Sequence, residues 1–319
     1  MSVRVRLSTP AGRASALAVI DLFTHSAGEL EPFIRKHVGV RTQPGDVKLA
    51  NLAGVDHGLV IHWTDTFAQL TPHGGVAVVD ALMTALTTGD AERVTHADPA
   101  QAYPEARDDF EARALAALSH AVSPMAVDLL LAQRERWAAG DRKPDDARTD
   151  RDVRLTRLIE PALVAVVGEP NVGKSTLLNA LAGRELAIVS DEAGTTRDHV
   201  GALINLGGLV VRWIDTPGFR EVQGPEAEAI GLAQRLVDDA DLVVAVGDRT
   251  TGDPREIAGV EPGLVVALRT DLGEPAWDHD LAVSATTGAG VSALVTMVRD
   301  RLVPSADIED VGPWKFWEG

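Results

Sequence analysis

The stretch Pro161-Ala-Leu-Val-Ala-Val-Val-Gly168-Glu-Pro-Asn171-Val-Gly173-Lys174-Ser175 decides the fold of the C-terminal half of this chain. Up to Val167 it is continuously apolar, the pattern of a parallel strand buried on both faces. Gly168 to Ser175 then fits G-x-x-x-x-G-K-[ST], and a helical stretch follows. In such a loop the backbone N–H groups point inward and the next helix adds its positive end, so phosphate oxygens are held without side-chain bulk. A tight turn with no ligand is the alternative, and the strand-loop-helix context disfavours it. Gly168, Asn171, Val172, Gly173, Lys174, Ser175 and Thr176 are therefore the candidate phosphate-binding residues. Lys174 would neutralise the β- and γ-phosphates and serve the chemistry, and the Ser175 hydroxyl would ligate Mg²⁺.

Further apolar runs at Leu209 to Ile214, Leu242 to Val246 and Leu264 to Leu268 are separated by helical stretches, and a helix is expected over Val291 to Leu302 with Pro304 stopping it. This is α/β patterning of the doubly wound, mostly parallel kind, a P-loop NTPase G domain over 158–303. Asp215-Thr216-Pro217-Gly218 follows one strand. Asp215 is placed to hold magnesium through water, and the Gly218 N–H to sense the γ-phosphate. Between the two motifs, Gly194-Thr195-Thr196-Arg197-Asp198 offers hydroxyls suited to closing over Mg²⁺.

Phosphate loops serve adenine and guanine alike, so the base is read elsewhere. Guanine presents an N1–H and a 2-amino group, which a fixed carboxylate accepts bidentately. Asp271 lies just past the strand ending at Leu268, beside Arg269, and an ordinary surface acid is the other reading. Ser284-Ala285-Thr286-Thr287-Gly288, after the next strand, would offer backbone N–H groups, those of Ser284 and Ala285 included, to the guanine O6. The expected nucleotides are GTP and GDP.

The N-terminal half has a different texture. Val3 to Leu7, Ala16 to Leu22 and Val55 to Trp63 are short apolar runs between turns. After Thr71-Pro72-His73-Gly74-Gly75, the residues Val76, Val79, Leu82, Met83 and Leu86 recur at helical spacing. Residues 1–97 are expected to form a small α/β domain. Residues 103–139 form a helical segment in which Ser123 caps a helix beginning at Pro124. Residues 140–157, rich in Asp, Arg and Lys, are read as a solvated linker rather than a charged binding surface. The tail 304–319 contains Pro313-Trp314-Lys315-Phe316-Trp317, expected to dock on its own protein rather than on a partner.

Composition bounds the function. The 319 residues suit two compact domains. A formal net charge of -17 argues against a surface that binds nucleic acid as a whole. The absence of cysteine excludes disulfides, thiolate zinc sites and thiol catalysis, and is compatible with a cytoplasmic setting. No apolar run reaches bilayer length, and Met1 to Pro10 lacks the apolar core of a signal peptide, so no membrane partner is expected. His57, His62 and His73 do not have the acid or cysteine spacing of a metal site.

The residues Ser175-Thr-Leu-Leu-Asn-Ala-Leu-Ala-Gly-Arg-Glu-Leu-Ala-Ile-Val-Ser-Asp-Glu-Ala-Gly-Thr-Thr-Arg-Asp198, with Asp215-Thr-Pro-Gly-Phe-Arg220 and Glu228-Ala-Ile-Gly231, resemble the MnmE (TrmE) tRNA-modification GTPases. The likeness covers most of Leu163 to Leu302. It reaches the N-terminus in patches, where Thr9-Pro10-Ala11-Gly12-Arg13 and His73-Gly74-Gly75 look like that family's folate-binding, dimer-forming domain. The resemblance implies a GTPase with K⁺ assistance, Asn171 as a potassium ligand, and Gly183 to Thr195 as the loop around that ion when two G domains pair. It implies Glu228 as the acid orienting the attacking water, although one extra residue separates it from Asp215 and a solvated helical acid is the other reading. Thr196 is the better of the two threonines for Mg²⁺. Implied partners are a second copy, through the N-terminal domain and transiently through the G domains, and tRNA with a tRNA-modifying flavoprotein.

The departures are specific. Leu268-Arg269-Thr270-Asp271 stands where the family has Asn-Lys-x-Asp. The family's C-terminal helical region and cysteine motif have no counterpart in these residues. The folate-contacting arginine and glutamate positions are Ile20 and Gln69. These departures leave an alternative, a regulatory nucleotide-binding assembly module with little hydrolysis and no tRNA-modifying role.

Overall fold

The computed structural model describes all residues except 1–2, 10–11, 13, 90, 185–200, 216–233 and 319, and no side chain at 184 or 258. Its described residues form two compact units, Met1–Ala116 and the remainder from Ala117 onward.

In the first unit β1 (Val3–Leu7), β2 (Ser15–Leu17), β3 (Ile20–Phe23), α1 (Leu30–Val38), β4 (Val47–Leu52), β5 (Asp56–Thr64), β6 (Phe67–Thr71), β7 (His73–Gly74), α2 (Val76–Thr87) and β8 (Ala91–Arg93) follow in turn. A six-stranded sheet runs β4-β5-β6-β3-β1-β8, while β2 and β7 pair separately. The apolar run Ala16 to Leu22 is thus divided. Its first part pairs with β7 and its second with β1 and β6, so the chain changes partners between Leu17 and Ile20.

The helical spacing read after the Gly74-Gly75 break buries Val79, Leu82, Met83 and Leu86. They join Leu30, Phe33, Ile34 and Val38 of α1 and Val3, Val5, Ile20, Leu22 and Leu70 of the sheet in one core. Each large side chain so buried contributes about 1.5–3 kcal/mol. The opposite face of the sheet edge stays open. Val47 faces Ile61 and Leu49 faces Leu59 across β4 and β5, and Val47, Leu49, Leu59 and Trp63 are exposed.

Two helices, α3 (Pro99–Ala102) and α4 (Asp109–His120), come next, and the second unit then has α5 (Pro124–Leu131), α6 (Gln133–Ala139) and α7 (Asp150–Thr156). Pro124 opens α5 as expected, but the Ser123 side chain makes no cap hydrogen bond. Its Oγ accepts the N–H of Val210 at 2.9 Å, a strand donor that would otherwise be buried unpaired. Residues 140–157, expected as a solvated linker, contain α7 and a buried ion pair. Asp152 is fully buried and takes both Arg142 Nη1, at 2.9 Å, and Nη2. It also accepts the N–H of Lys315 at 2.9 Å, while Trp314 donates its N–H to Gln133 Oε1 at 2.7 Å and its indole to the Asp152 carbonyl at 3.3 Å. The tail therefore docks on its own unit, with Trp314 fully buried.

Then come β9 (Ala162–Val167), α8 (Lys174–Arg184), β10 (Ala202–Leu206), β11 (Leu209–Asp215), β12 (Leu242–Gly247), β13 (Leu264–Ala267), β14 (Leu281–Ala282) and a helix over Val291–Leu302. The sheet order is β10-β11-β9-β12-β13-β14, parallel throughout except the β10–β11 hairpin. That hairpin turns on Gly207 and Gly208, both at positive φ (60° and 100°), which two-residue turns of this hand require. The sheet is the doubly wound one expected from the apolar runs. With β9 and β12 at its centre, their carboxyl ends open onto the crevice where such sheets bind ligands. Among the described residues no helix is long and apolar enough to cross a membrane.

Candidate functional site

The phosphate loop leaves the carboxyl end of β9 beside β12, and this placement explains its first glycine. A Cβ on Gly168 would lie 2.1 Å from the Val246 carbonyl oxygen and 2.9 Å from Val246 Cγ2. Only glycine fits between these paired strands. The loop then passes through positive φ at Asn171 (67°) and Gly173 (107°) before α8 begins at Lys174. Val172 is buried, so it anchors the loop instead of offering a side-chain ligand, and Leu177 and Leu181 seat the helix behind it.

Lys174 folds back over the loop. Its Nζ donates to the carbonyls of Gly168 at 3.1 Å and Glu169 at 3.0 Å. Burial lowers its ammonium from the usual lysine range, against the opposing pull of the Asp215 carboxylate. A half-buried cation at the mouth of an amide-lined loop is arranged for an anion. Ser175 Oγ donates to Asp215 Oδ2 at 2.9 Å. Ser175 stands in the first turn of α8 and Asp215 at the end of β11, and the two meet because Asp215 pairs with Val166 at the loop's root. A hydroxyl and a carboxylate side by side are hard oxygen donors of the type Mg²⁺ takes, so the residues present fit that ion.

Beside the loop lies a cavity of about 420 Å³ lined by Asn171, Gly173, Thr176, Leu268, Arg269, Ala285 and Thr286. Asp271 sits on a 3₁₀ turn over Thr270–Leu272, and its Oδ1 accepts the Ser284 hydroxyl at 2.6 Å. The Ser284 side chain thus orients the carboxylate, a role not assigned to it from sequence. The Ser284 N–H, expected to face a guanine oxygen, donates instead to the Ala289 carbonyl at 2.9 Å. Leu268 is buried and brings no polar group. Arg269 adopts positive φ (54°), and its Nη1 reaches the Asn171 carbonyl at 3.3 Å and Asp248 Oδ2 at 3.1 Å. Asp248 was not singled out from sequence. An acid two residues past the apolar run Leu242 to Val246, after Gly247, was the available signal. Thr195, Thr196, Gly218 and Glu228 lie outside the described residues.

In the first unit, Ile20 is part of the core, and Gln69 spends its amide on Asp21 Oδ1 (3.0 Å) and the Trp63 indole (2.8 Å). His62 is buried against the Thr42 hydroxyl at 2.9 Å, and His73 pairs with Asp56 at 3.0 Å.

A phosphate loop at the centre of a mostly parallel sheet, with an acid, a serine and a base-side cavity at the adjoining strand ends, defines a P-loop GTPase domain. Residues 163–268 match the family model described as 50S ribosome-binding GTPase. The chain belongs to the MnmE family of tRNA modification GTPases. It is 32% identical to the MnmE of Azorhizobium caulinodans over 93% of its own length and 78% of that protein. Against the MnmE of Acidiphilium cryptum it is 44% identical over 46% of its length, where it spans 34% of the relative, about a third, as in other matches of that kind. Aquifex aeolicus Era bound to GDP and AlF4⁻ is 30% identical over 44% of this chain and 56% of that one, with a TM-score of 0.35.

Proposed function

We propose that the protein binds GTP and hydrolyses it to GDP and phosphate with Mg²⁺ and K⁺. The observation that carries this reading is the Lys174, Ser175 and Asp215 cluster at the loop, set beside a cavity lined by Leu268, Arg269, Ala285 and Thr286. Lys174 would move from the loop carbonyls to the phosphates. Ser175 and Asp215 would hold Mg²⁺, which supplies charge neutralisation at the β- and γ-phosphates when bound. Asp271, fixed by Ser284, would select guanine.

Family membership supports roles for Asn171 toward K⁺, Thr195, Thr196 and Gly218 toward the closing loops, and Glu228 toward the attacking water. The exposed apolar edge of Val47, Leu49, Leu59 and Trp63 supports pairing with a second copy through the N-terminal domain, 1–97. A link to tRNA modification, a flavoprotein partner and a cytoplasmic setting belong to the same reading. Folate is left outside it, since Ile20 offers no donor and the Gln69 amide is engaged.

The second reading, a binding module with little hydrolysis, is favoured by one feature, the buried Leu268 in place of an amide. Single-turnover hydrolysis in K⁺ and in Na⁺ separates the two. Faster turnover in K⁺ supports the enzyme, equal rates remove the role of Asn171, and GTP left intact over hours supports the module.

A further inference from the structure

The base side of the site lacks the amide that Leu268 displaces, yet the base turn and the phosphate loop are still tied together. Arg269 makes the tie, and it does so from a backbone conformation that non-glycine residues seldom adopt. Its stem lies along the loop, with Cγ and Cδ 3.5 and 3.6 Å from where a Gly173 Cβ would stand. Its Nη1 is shared between the Asn171 carbonyl and the carboxylate of Asp248.

Asp248 is built to hold that guanidinium. It is buried at the end of β12, while the arginine is half-exposed. Its Oδ1 accepts both the N–H of Thr250 at 2.8 Å and the Thr250 hydroxyl at 2.6 Å, leaving Oδ2 for Arg269. Burial alone would raise its carboxyl, but the Thr250 donors and Arg269 outweigh burial and hold it below the usual aspartate range. A fixed carboxylate therefore restrains a long side chain whose free rotamers would otherwise leave both loop and cavity.

We propose that Asp248 is a positioning residue for guanine-nucleotide affinity: it touches no nucleotide and acts by fixing Arg269 across the base cavity and the phosphate loop. This rests on the nucleotide reading of the site given above.

The test is calorimetric titration of GDP with Mg²⁺ into the full chain, as wild type, Asp248→Asn, Arg269→Ala and the double variant. Asparagine keeps an acceptor for the Thr250 donors, so melting without nucleotide is expected to match wild type. Affinity for GDP is expected to fall about ten-fold in Asp248→Asn, the loss of one half-exposed charge-assisted contact. Arg269→Ala is expected to lose at least as much, and the double variant no more than Arg269→Ala. Unchanged affinity in Asp248→Asn overturns the proposal. So do additive losses in the double variant, because Asp248 would then act independently of Arg269. If the wild type takes up no GDP, the nucleotide reading itself fails, an outcome distinct from wild-type binding that Asp248→Asn leaves intact.

Discussion

Replacing Gly168 by alanine tests whether the loop's position is set by the sheet rather than by its own sequence. The new Cβ would meet the Val246 carbonyl oxygen at 2.1 Å and Val246 Cγ2 at 2.9 Å, where ordinary contacts begin at 3.4 Å. Relief needs a displacement of about 1 Å at the end of β9. That end is locked, because β9 pairs with β12 at Val166–Val244 and Val167–Ala245 and with β11 at Asp215–Val166. Overpacking of this kind costs about 1–3 kcal/mol, and with backbone as the obstacle the upper end, about 3, is expected. In a domain of this size that lowers the melting temperature by about 6–12 °C.

The same displacement carries the loop amides and Lys174 away from the phosphates, so GDP affinity is expected to fall at least about ten-fold. Gly183→Ala is the control. A Cβ there meets nothing within 4 Å, and alanine in a helix is favoured over glycine by about 0.5–1 kcal/mol. Differential scanning fluorimetry with and without GDP reads both effects. A Gly168→Ala protein that melts like wild type and binds GDP equally well refutes the reasoning.

Asp271→Asn replaces one of the two oxygens that would accept guanine's N1–H and 2-amino group by an NH₂ donor, so GTP affinity should drop about a hundred-fold or more while xanthosine triphosphate gains, measured by competition. Unchanged guanine preference would remove the base role from Asp271. Trp314→Ala should destabilise the second unit by about 3–5 kcal/mol in urea unfolding, because a fully buried indole and its hydrogen bond to the Asp152 carbonyl are lost. A midpoint near wild type would mean that the tail is only loosely held. Burial lowers His62 below the ordinary histidine value of 6.5. The unfolded chain therefore binds the proton more readily. The stabilisation from neutral His62 is full above pH 6.5 and is lost as the pH falls from there through the lower value of the folded state. Melting of the first unit should drop as the pH falls below 6.5, and His62→Gln should flatten that dependence.

What could be read from the chain alone were features with a local cause. The strands Leu209–Asp215, Leu242–Gly247 and Leu264–Ala267 and the helix Val291–Leu302 stand within a residue of the apolar runs that announced them. A buried parallel strand must be apolar throughout, and a helix face repeats every three to four residues. The phosphate loop was legible for the same reason, since glycines, lysine and serine act within a single turn. The Gln69 amide, the Ser123 hydroxyl and the Ser284 hydroxyl each went to partners that no local pattern names. Asp152, inside an apparently solvated charged stretch, is buried because Arg142 and the backbone of Lys315 satisfy it, and Lys315 lies far along the chain.

Sequence by itself therefore determined the α/β class, the phosphate loop and the family, because local patterning and a short motif suffice for these. The tertiary structure alone decided that Gly168 is required by the Val246 carbonyl, that Ser284 aims Asp271, and that Asp248 holds Arg269 over Asn171. Such contacts join residues distant in the chain, and whether a polar group is satisfied depends on which distant partner the fold delivers to it.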